Sequence, residues 1–99
     1  MSFSEEIIQK VWEKGKVVAN NDPKVYRKDE CDAWMKRNQY GETGKLSFGW
    51  TIDHITPVSK GGTDDLSNLR PLQWENNISK GDGRLGCAVT SDGVKNKYI

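Results

Sequence analysis

The sequence predicts a small α+β domain, and three patterns along the chain support this fold class. Apolar residues recur at helical spacing over residues 7–12. Apolar and polar residues alternate over residues 50–54, which is the two-residue period of a β-strand with two different faces. A second helix is predicted from about Pro71, which suits a first helical turn, to Lys80, because Gly81 follows.

Size and composition allow one domain with a small core. The chain has 99 residues, of which 34% are hydrophobic, and its mean hydropathy is -0.79. Chains of this kind often depend on a metal ion, a disulfide or a partner subunit for stability. The composition leaves open which of the three applies.

The first helix is predicted to be an amphipathic packing element without chemistry. Ser2 is followed three residues later by Glu5, which is a capping-box spacing, and the helix is expected to end near Gly15. A turn at residues 20–23 and a strand-like run at residues 25–26 follow. The C-terminal tail is predicted to form a strand, a Ser-Asp-Gly turn and a second strand, and the sequence assigns it no role.

Charge and hydropathy restrict the partners. Lys and Arg number 15 against 14 Asp and Glu, so no global basic field exists and any contact with nucleic acid must be local. No apolar run approaches the length that crosses a membrane, and the first residues lack the basic region of a signal peptide. We therefore expect an intracellular, cytoplasmic protein without a membrane partner.

Cys31 and Cys87 are the two cysteines of the chain. In a reducing compartment, two unpaired thiols, of which one or both pack inside, are favoured over a disulfide. The disulfide stays open as the less favoured interpretation.

Side chains suited to chemistry are concentrated in residues 53–82, DHITPVSKGGTDDLSNLRPLQWENNISKGD. This stretch holds the only histidine, His54, beside Asp53, and three asparagines further on. An imidazole can take a proton from water, and carboxylate and carboxamide oxygens are hard ligands for Mg²⁺ or Mn²⁺. Together these groups suit phosphodiester hydrolysis, which needs a base on one side of the phosphorus and positive charge on the other.

The same stretch resembles the HNH endonuclease family, whose motif has a histidine after an acid, a central asparagine and a final histidine or asparagine on a helix. The resemblance runs through DHITPVSKGGTDDLSNLRPL and NNISKGD, and YRKDECDAWMKRNQYG and GWTIDHI also look like one branch of the family. It implies a ββα-metal (His-Me) finger within a single domain. Residues 1–25 would be the N-terminal helix and lead-in, residues 26–82 the HNH core, and residues 83–99 a C-terminal strand or tail.

The resemblance also implies a role for each motif residue. His54 would be the general base, Asp53 a metal ligand and Asn77 the second protein ligand. Asn68 corresponds to the central asparagine, which in the family ties the loop and helps hold the histidine, so we expect it to orient the catalytic base. For Lys80, contact with a DNA phosphate and a solvated position near the helix end both remain open.

One departure from the family concerns structural zinc. Many HNH proteins bind zinc through two Cys-x-x-Cys pairs, and the corresponding positions here hold Cys31, Trp34, Gln73 and Asn76. Because zinc needs thiolate or imidazole ligands, we expect no structural zinc and expect Trp34 and other aromatic residues to fill the space. Asn76 is expected to be structural.

The leading functional hypothesis is an endonuclease that cleaves double-stranded DNA with one divalent cation, Mg²⁺ or Mn²⁺. The near-neutral charge predicts modest and salt-sensitive DNA binding, so a homodimer or a partner subunit that adds basic surface stays open. Two alternatives remain. One is an HNH-fold nucleic-acid-binding module without turnover or a subunit of a larger restriction or phage assembly, and the other is a structural protein whose fold is stabilised by a metal on Asp53 and Asn77.

Overall fold

Two helices and three two-stranded antiparallel sheets form the fold of residues 2–99, the part of the chain that the computed structural model describes. The helices are α1 (Glu5–Trp12) and α2 (Trp74–Lys80). The paired strands are β1 (Tyr26–Lys28) with β2 (Trp34–Lys36), β3 (Trp50–His54) with β4 (Leu69–Gln73), and β5 (Val89–Asp92) with β6 (Lys95–Tyr98). Three short 3₁₀ helices span Arg37–Gln39, Val58–Lys60 and Leu66–Asn68. The predicted α+β class is confirmed, and no helix of the described residues has the length and apolar character needed to cross a bilayer.

Helix α1 is capped by Ser4, whose hydroxyl accepts a hydrogen bond of 3.2 Å from the amide of Ile7. The cap predicted at Ser2 is therefore wrong. Ser4 has an extended backbone directly before the first helical residue, which is the geometry a capping hydroxyl requires. The predicted packing role of the helix is confirmed, because its apolar stripe is buried in the core.

The core lies between α1 and the β3–β4 sheet. Its buried members are Ile8, Val11, Trp12, Met35, Trp50, Ile52 and Leu69. The rings of Trp12 and Trp50 lie with centroids 5.2 Å apart, a tilted contact typical of buried aromatic pairs. Burial of Trp50 and Ile52 fixes one face of β3, so the position of the strand end that carries His54 is set by the core.

Strand β4 pairs along its whole length with β3, from Trp50 opposite Gln73 to His54 opposite Leu69. Pro71 lies within this strand opposite Ile52, so the helix start predicted at Pro71 is wrong. A proline is tolerated there because β4 has a neighbour on one side only in this two-stranded sheet. Helix α2 instead begins after Gln73, whose side chain accepts hydrogen bonds from the next turn, and it ends at Lys80 as predicted.

The C-terminal hairpin β5–β6 confirms the strand, turn and strand predicted for the tail and packs against β2 and α2. Asn96 accepts a hydrogen bond of 2.7 Å from the amide of Trp34, and Tyr98 donates one of 2.6 Å to Glu75. On β5, the amide of Val89 donates a hydrogen bond of 2.8 Å to the side-chain oxygen of Asn76 in α2. The tail is therefore part of the folded core.

Cys31 and Cys87 form a disulfide, so the expectation of two unpaired thiols is wrong. The two cysteines are 56 residues apart in sequence, and only the docking of the tail brings them together. Disulfides are typical of oxidising compartments, so the bond gives no support to the cytoplasmic location expected from the sequence.

The buried carboxylate of Asp29 connects two segments of the chain. One carries Cys31 and Trp34 and the other carries Gln73 and Asn76, the four positions at which zinc ligands were considered from the sequence. Asp29 is 1% exposed, and its oxygens accept hydrogen bonds from the amides of Cys31, Ala33 and Gln73, at 2.9 Å each, and from the side chain of Asn76 at 3.0 Å. Burial raises the pKa of Asp29 above its ordinary 3.8, although these hydrogen bonds oppose the change. Hydrogen bonds to Asp29 thus connect the turn before β2 to the start of α2, and the disulfide connects the same turn to the segment before β5.

Candidate active site

A cavity of about 230 Å³ between β3, α2 and the loop after β3 collects four of the five predicted site residues. Asp53, His54, Asn77 and Lys80 all line it. The strand predicted over residues 50–54 is confirmed, but burial along it does not alternate as predicted, since Ile52 and Asp53 are both buried and His54 is partly exposed at the strand end. Asn68 lies outside the cavity wall, in the loop that follows β3.

Asp53 is buried and paired with two cations. Its Oδ2 lies 2.8 Å from Arg70 Nε, its cross-strand neighbour, and its Oδ1 lies 3.2 Å from Lys80 Nζ. Lys80 also donates a hydrogen bond of 3.1 Å to the carbonyl of His54, and its side chain is 2% exposed. The alternative of a solvated Lys80 is therefore wrong, because its ammonium is held at the base of the cavity.

Asn77 projects from α2 towards β3. Its amide nitrogen donates a hydrogen bond of 2.6 Å to the hydroxyl of Thr51 and a longer one of 3.4 Å to the carbonyl of Ile52. Since the nitrogen and oxygen of an amide point in different directions, these contacts turn the oxygen away from β3. The oxygen is the atom of Asn77 suited to a hard cation.

His54 is held by a carboxylate that sequence analysis missed. Its Nε2 lies 2.7 Å from Oδ1 of Asp64, which belongs to the loop between β3 and β4. The ring of Phe3, from the segment before α1, lies 6.0 Å from the imidazole between centroids. The available signal was the Asp-Asp pair in GGTDD, but adjacent acids in a polar loop are ordinarily solvated, so sequence gave no reason to single out Asp64.

Asn68 ties the two sides of this loop together. Its Oδ1 accepts from the amide of Thr56 at 2.8 Å, and its Nδ2 donates to the carbonyls of Thr56 at 3.1 Å and Thr63 at 2.8 Å. Gly62 sits so close to this bridge that a Cβ there would lie 1.7 Å from the carbonyl oxygen of Thr56. Asn68 and Gly62 together set the path of the loop that presents Asp64 to His54.

Asp53, Asn77 and Asp82 bring oxygen donors suited to Mg²⁺ or Mn²⁺ to the cavity, and the first two are the ligands expected from the sequence. Within residues 2–99 no group of three or more His, Cys, Asp or Glu side chains is placed to bind a metal ion. A cation bound at Asp53 and Asn77 would be held by one carboxylate and one amide, with water and phosphate oxygens at its other positions. This donor set fits Mg²⁺, which usually keeps several waters and binds few protein ligands.

Comparison with known proteins identifies the segment that carries the cavity. No curated protein and no solved structure matches the chain significantly. The family model described as HNH endonuclease matches residues 41–83, which include β3, β4, α2 and the whole cavity wall. Over residues 41–83, the chain is therefore similar to the HNH endonuclease family.

Proposed function

We propose that the protein is a metal-dependent DNA endonuclease in which β3, β4 and α2 form a ββα-metal finger. The observation that carries the proposal is the single cavity lined by His54, Asp53 and Asn77. A proton acceptor near two hard oxygen donors is the combination that phosphodiester hydrolysis needs, so this lining supports the proposal. The match of residues 41–83 to the HNH endonuclease family supports a nuclease-type activity independently of this geometry.

In the proposed reaction, His54 accepts a proton from the attacking water. Its Nε2 is engaged by Asp64, so Nδ1 is the nitrogen that receives the proton. The hydroxide attacks phosphorus in line with the 3' oxygen, the bond from phosphorus to that oxygen breaks, and the phosphate remains on the 5' side. Asp53 and Asn77 would hold one Mg²⁺ or Mn²⁺, which when bound supplies positive charge for the phosphate and the leaving oxygen.

The proposed substrate is double-stranded DNA. The net charge of +1 limits phosphate neutralisation by the chain as a whole, so binding should be modest and should weaken as salt rises. A second copy of the chain or a partner subunit would strengthen binding by adding basic surface.

One observation favours the alternative of a DNA-binding module without turnover. Both oxygens of Asp53 are already paired, with Arg70 and with Lys80, so the carboxylate is neutralised without a metal ion. Under this alternative, the positive charges of Arg70 and Lys80 would prevent Mg²⁺ or Mn²⁺ from binding to Asp53. A titration with Mn²⁺ separates the two functions, because only the nuclease requires the cation to bind.

The test is nicking of supercoiled plasmid at low salt with Mg²⁺, with Mn²⁺ and with chelator. We expect cation-dependent nicking by the wild type and a loss of roughly a hundredfold or more in His54→Ala, because the base is removed. Ser59→Ala changes another residue of the cavity wall and should keep full activity. Calorimetry should show that His54→Ala still binds Mn²⁺.

Two outcomes would overturn parts of this proposal. Undiminished nicking by a folded His54→Ala protein would remove His54 as the base. A folded wild type that binds DNA and neither binds Mn²⁺ nor cuts would establish the module without turnover.

A further inference from the structure

We infer that Asp64 is a positioning residue that orients and polarises His54 for proton transfer. The inference rests on the proposed nuclease function and adds a residue to it. Its basis is the hydrogen bond of 2.7 Å between His54 Nε2 and Asp64 Oδ1, made between side chains that are 24% and 48% exposed. This is the contact that determines which imidazole nitrogen faces the substrate.

An ionised carboxylate only accepts hydrogen bonds, so the nitrogen facing Asp64 must carry a proton. The neutral imidazole is then protonated at Nε2, and the lone pair lies on Nδ1. When Nδ1 takes the proton from water, the O–H bond breaks, the Nε2–H bond stays intact and the ring becomes positively charged. The negative charge of Asp64 stabilises that imidazolium, as the aspartate of a Ser-His-Asp triad does.

The loop around Asp64 is built to hold it in place. On one side, the carbonyl of Thr63 accepts the hydrogen bond of 2.8 Å from Asn68 described above. On the other, the hydroxyl of Thr63 donates to Asp65 Oδ2 at 3.0 Å. The neighbours of Asp64 are therefore tied within the loop, while Asp64 itself reaches out to His54.

Phe3 restrains the imidazole from another direction. Its ring makes a tilted contact with His54, with an interplanar angle of 43°. The imidazole is thus held by its backbone at the end of β3, by the ring of Phe3 and by the carboxylate of Asp64. Of these three restraints, only the carboxylate distinguishes between the two ring nitrogens.

Asp64 can be changed without loss of the fold, because its side chain is half-exposed and lies outside the core. Three variants separate its possible roles. Asp64→Ala removes the acceptor, Asp64→Asn keeps an oxygen acceptor without charge, and Asp65→Asn is the matched control that changes the adjacent acid and keeps an acceptor for the hydroxyl of Thr63.

The first readout is the tautomer of His54, measured from the ¹⁵N shifts of the imidazole. Because His54 is the only histidine, one set of signals reports the site directly. We expect a single tautomer protonated at Nε2 in the wild type and in Asp65→Asn, and a mixture of tautomers in Asp64→Ala. A wild-type imidazole protonated at Nδ1, or unchanged tautomer populations in Asp64→Ala, would overturn the inference.

The second readout is plasmid nicking with Mn²⁺ under single-turnover and steady-state conditions. We expect kcat to fall on the order of tenfold to a hundredfold in Asp64→Ala, less than for a buried triad aspartate, while KM for DNA is unchanged. Asp64→Asn should recover part of this loss, and Asp65→Asn should match the wild type. A change confined to KM would make Asp64 a DNA contact and overturn the positioning role.

The two readouts keep this inference distinct from the proposed function. If the wild type fails to nick DNA while its imidazole is a single Nε2–H tautomer that Asp64→Ala disturbs, the nuclease proposal fails and the pairing of Asp64 with His54 stands. If the wild type nicks DNA and Asp64→Ala matches it in both readouts, the nuclease proposal stands and the positioning role fails.

Discussion

Lys80 Nζ lies 3.2 Å from Asp53 Oδ1, and the two side chains are 2% and 4% exposed. A buried lysine therefore occupies one side of the carboxylate that is proposed to bind the cation. Arg70 occupies the other side, so any Mg²⁺ or Mn²⁺ must bind Asp53 against two positive charges. Of the two side chains, Lys80 is the one that would compete with a metal ion inside the cavity, because it lines the cavity wall and Arg70 does not.

Replacing Lys80 with methionine should tighten cation binding. Lys80→Met keeps a side chain of similar length and removes the positive charge, while Arg70 continues to pair with Asp53. We expect the affinity for Mn²⁺ to rise by about tenfold, which corresponds to about 1.4 kcal/mol. Isothermal titration calorimetry measures this directly, and the control is Lys60→Met, which changes an exposed lysine of the loop after β3. Unchanged or weaker binding in Lys80→Met would show that Lys80 does not compete with the cation.

Removing the amide of Asn77 should weaken cation binding. Asn77→Ala deletes the proposed oxygen ligand and places a strong helix former in α2, so the helix should persist. We expect the affinity for Mn²⁺ to fall by roughly tenfold or more, and nicking to fall with it. Ser79→Ala changes an exposed residue of the same helix and should have no effect on either quantity. Wild-type Mn²⁺ affinity in Asn77→Ala would exclude this residue as a ligand.

Breaking the disulfide should destabilise the fold. Cys31 and Cys87 close a loop across a sequence separation of 56 residues, so the bond restricts the unfolded chain strongly. We expect reduction, or the double change Cys31→Ser with Cys87→Ser, to lower the free energy of unfolding by about 2 to 4 kcal/mol. Urea denaturation with and without reductant measures the loss. Reductant should have no effect on the double variant, and a wild type equally stable in both conditions would contradict the expectation.

Asp29 should make stability depend on pH. Because burial raises its pKa above 3.8, the native state binds this proton more tightly than the unfolded state. The stabilisation from that proton is complete at pH values below the pKa of Asp29 in the unfolded state. It is lost as pH rises through the raised pKa of Asp29 in the native state. Asp29→Asn does not titrate, so the stability advantage of the wild type over it should narrow with rising pH across this window.

Asp29→Asn should still be less stable than the wild type at neutral pH. An asparagine offers one oxygen to the four donors that Asp29 satisfies and turns an amide group towards the others. We expect a loss of roughly 2 to 4 kcal/mol, which urea denaturation at several pH values would measure together with its trend. An advantage of the wild type that grows with pH would contradict the raised pKa.

Elements governed by local pattern were predictable. The strand β3, the end of α2 before Gly81 and the C-terminal hairpin follow from side-chain periodicity and turn residues, and the structure has them at those places. The start of α2 was wrong because pairing of β4 with β3 outweighed the preference of Pro71 for a first helical turn. The cap of α1 lies at Ser4 and not at the predicted Ser2. Both serines are good capping residues, and only the backbone geometry selects between them.

By itself, the sequence determined the chemistry that this protein can offer: one histidine beside an aspartate, with carboxamides at a spacing that resembles the HNH motif. Only the tertiary structure decided how those groups are paired. Asp64 with His54, Lys80 with Asp53 and Cys31 with Cys87 are contacts between residues 10, 27 and 56 positions apart. Such contacts depend on the packing of the loop, of α2 and of the tail on the β3–β4 sheet, and local periodicity carries no information about distances across these elements.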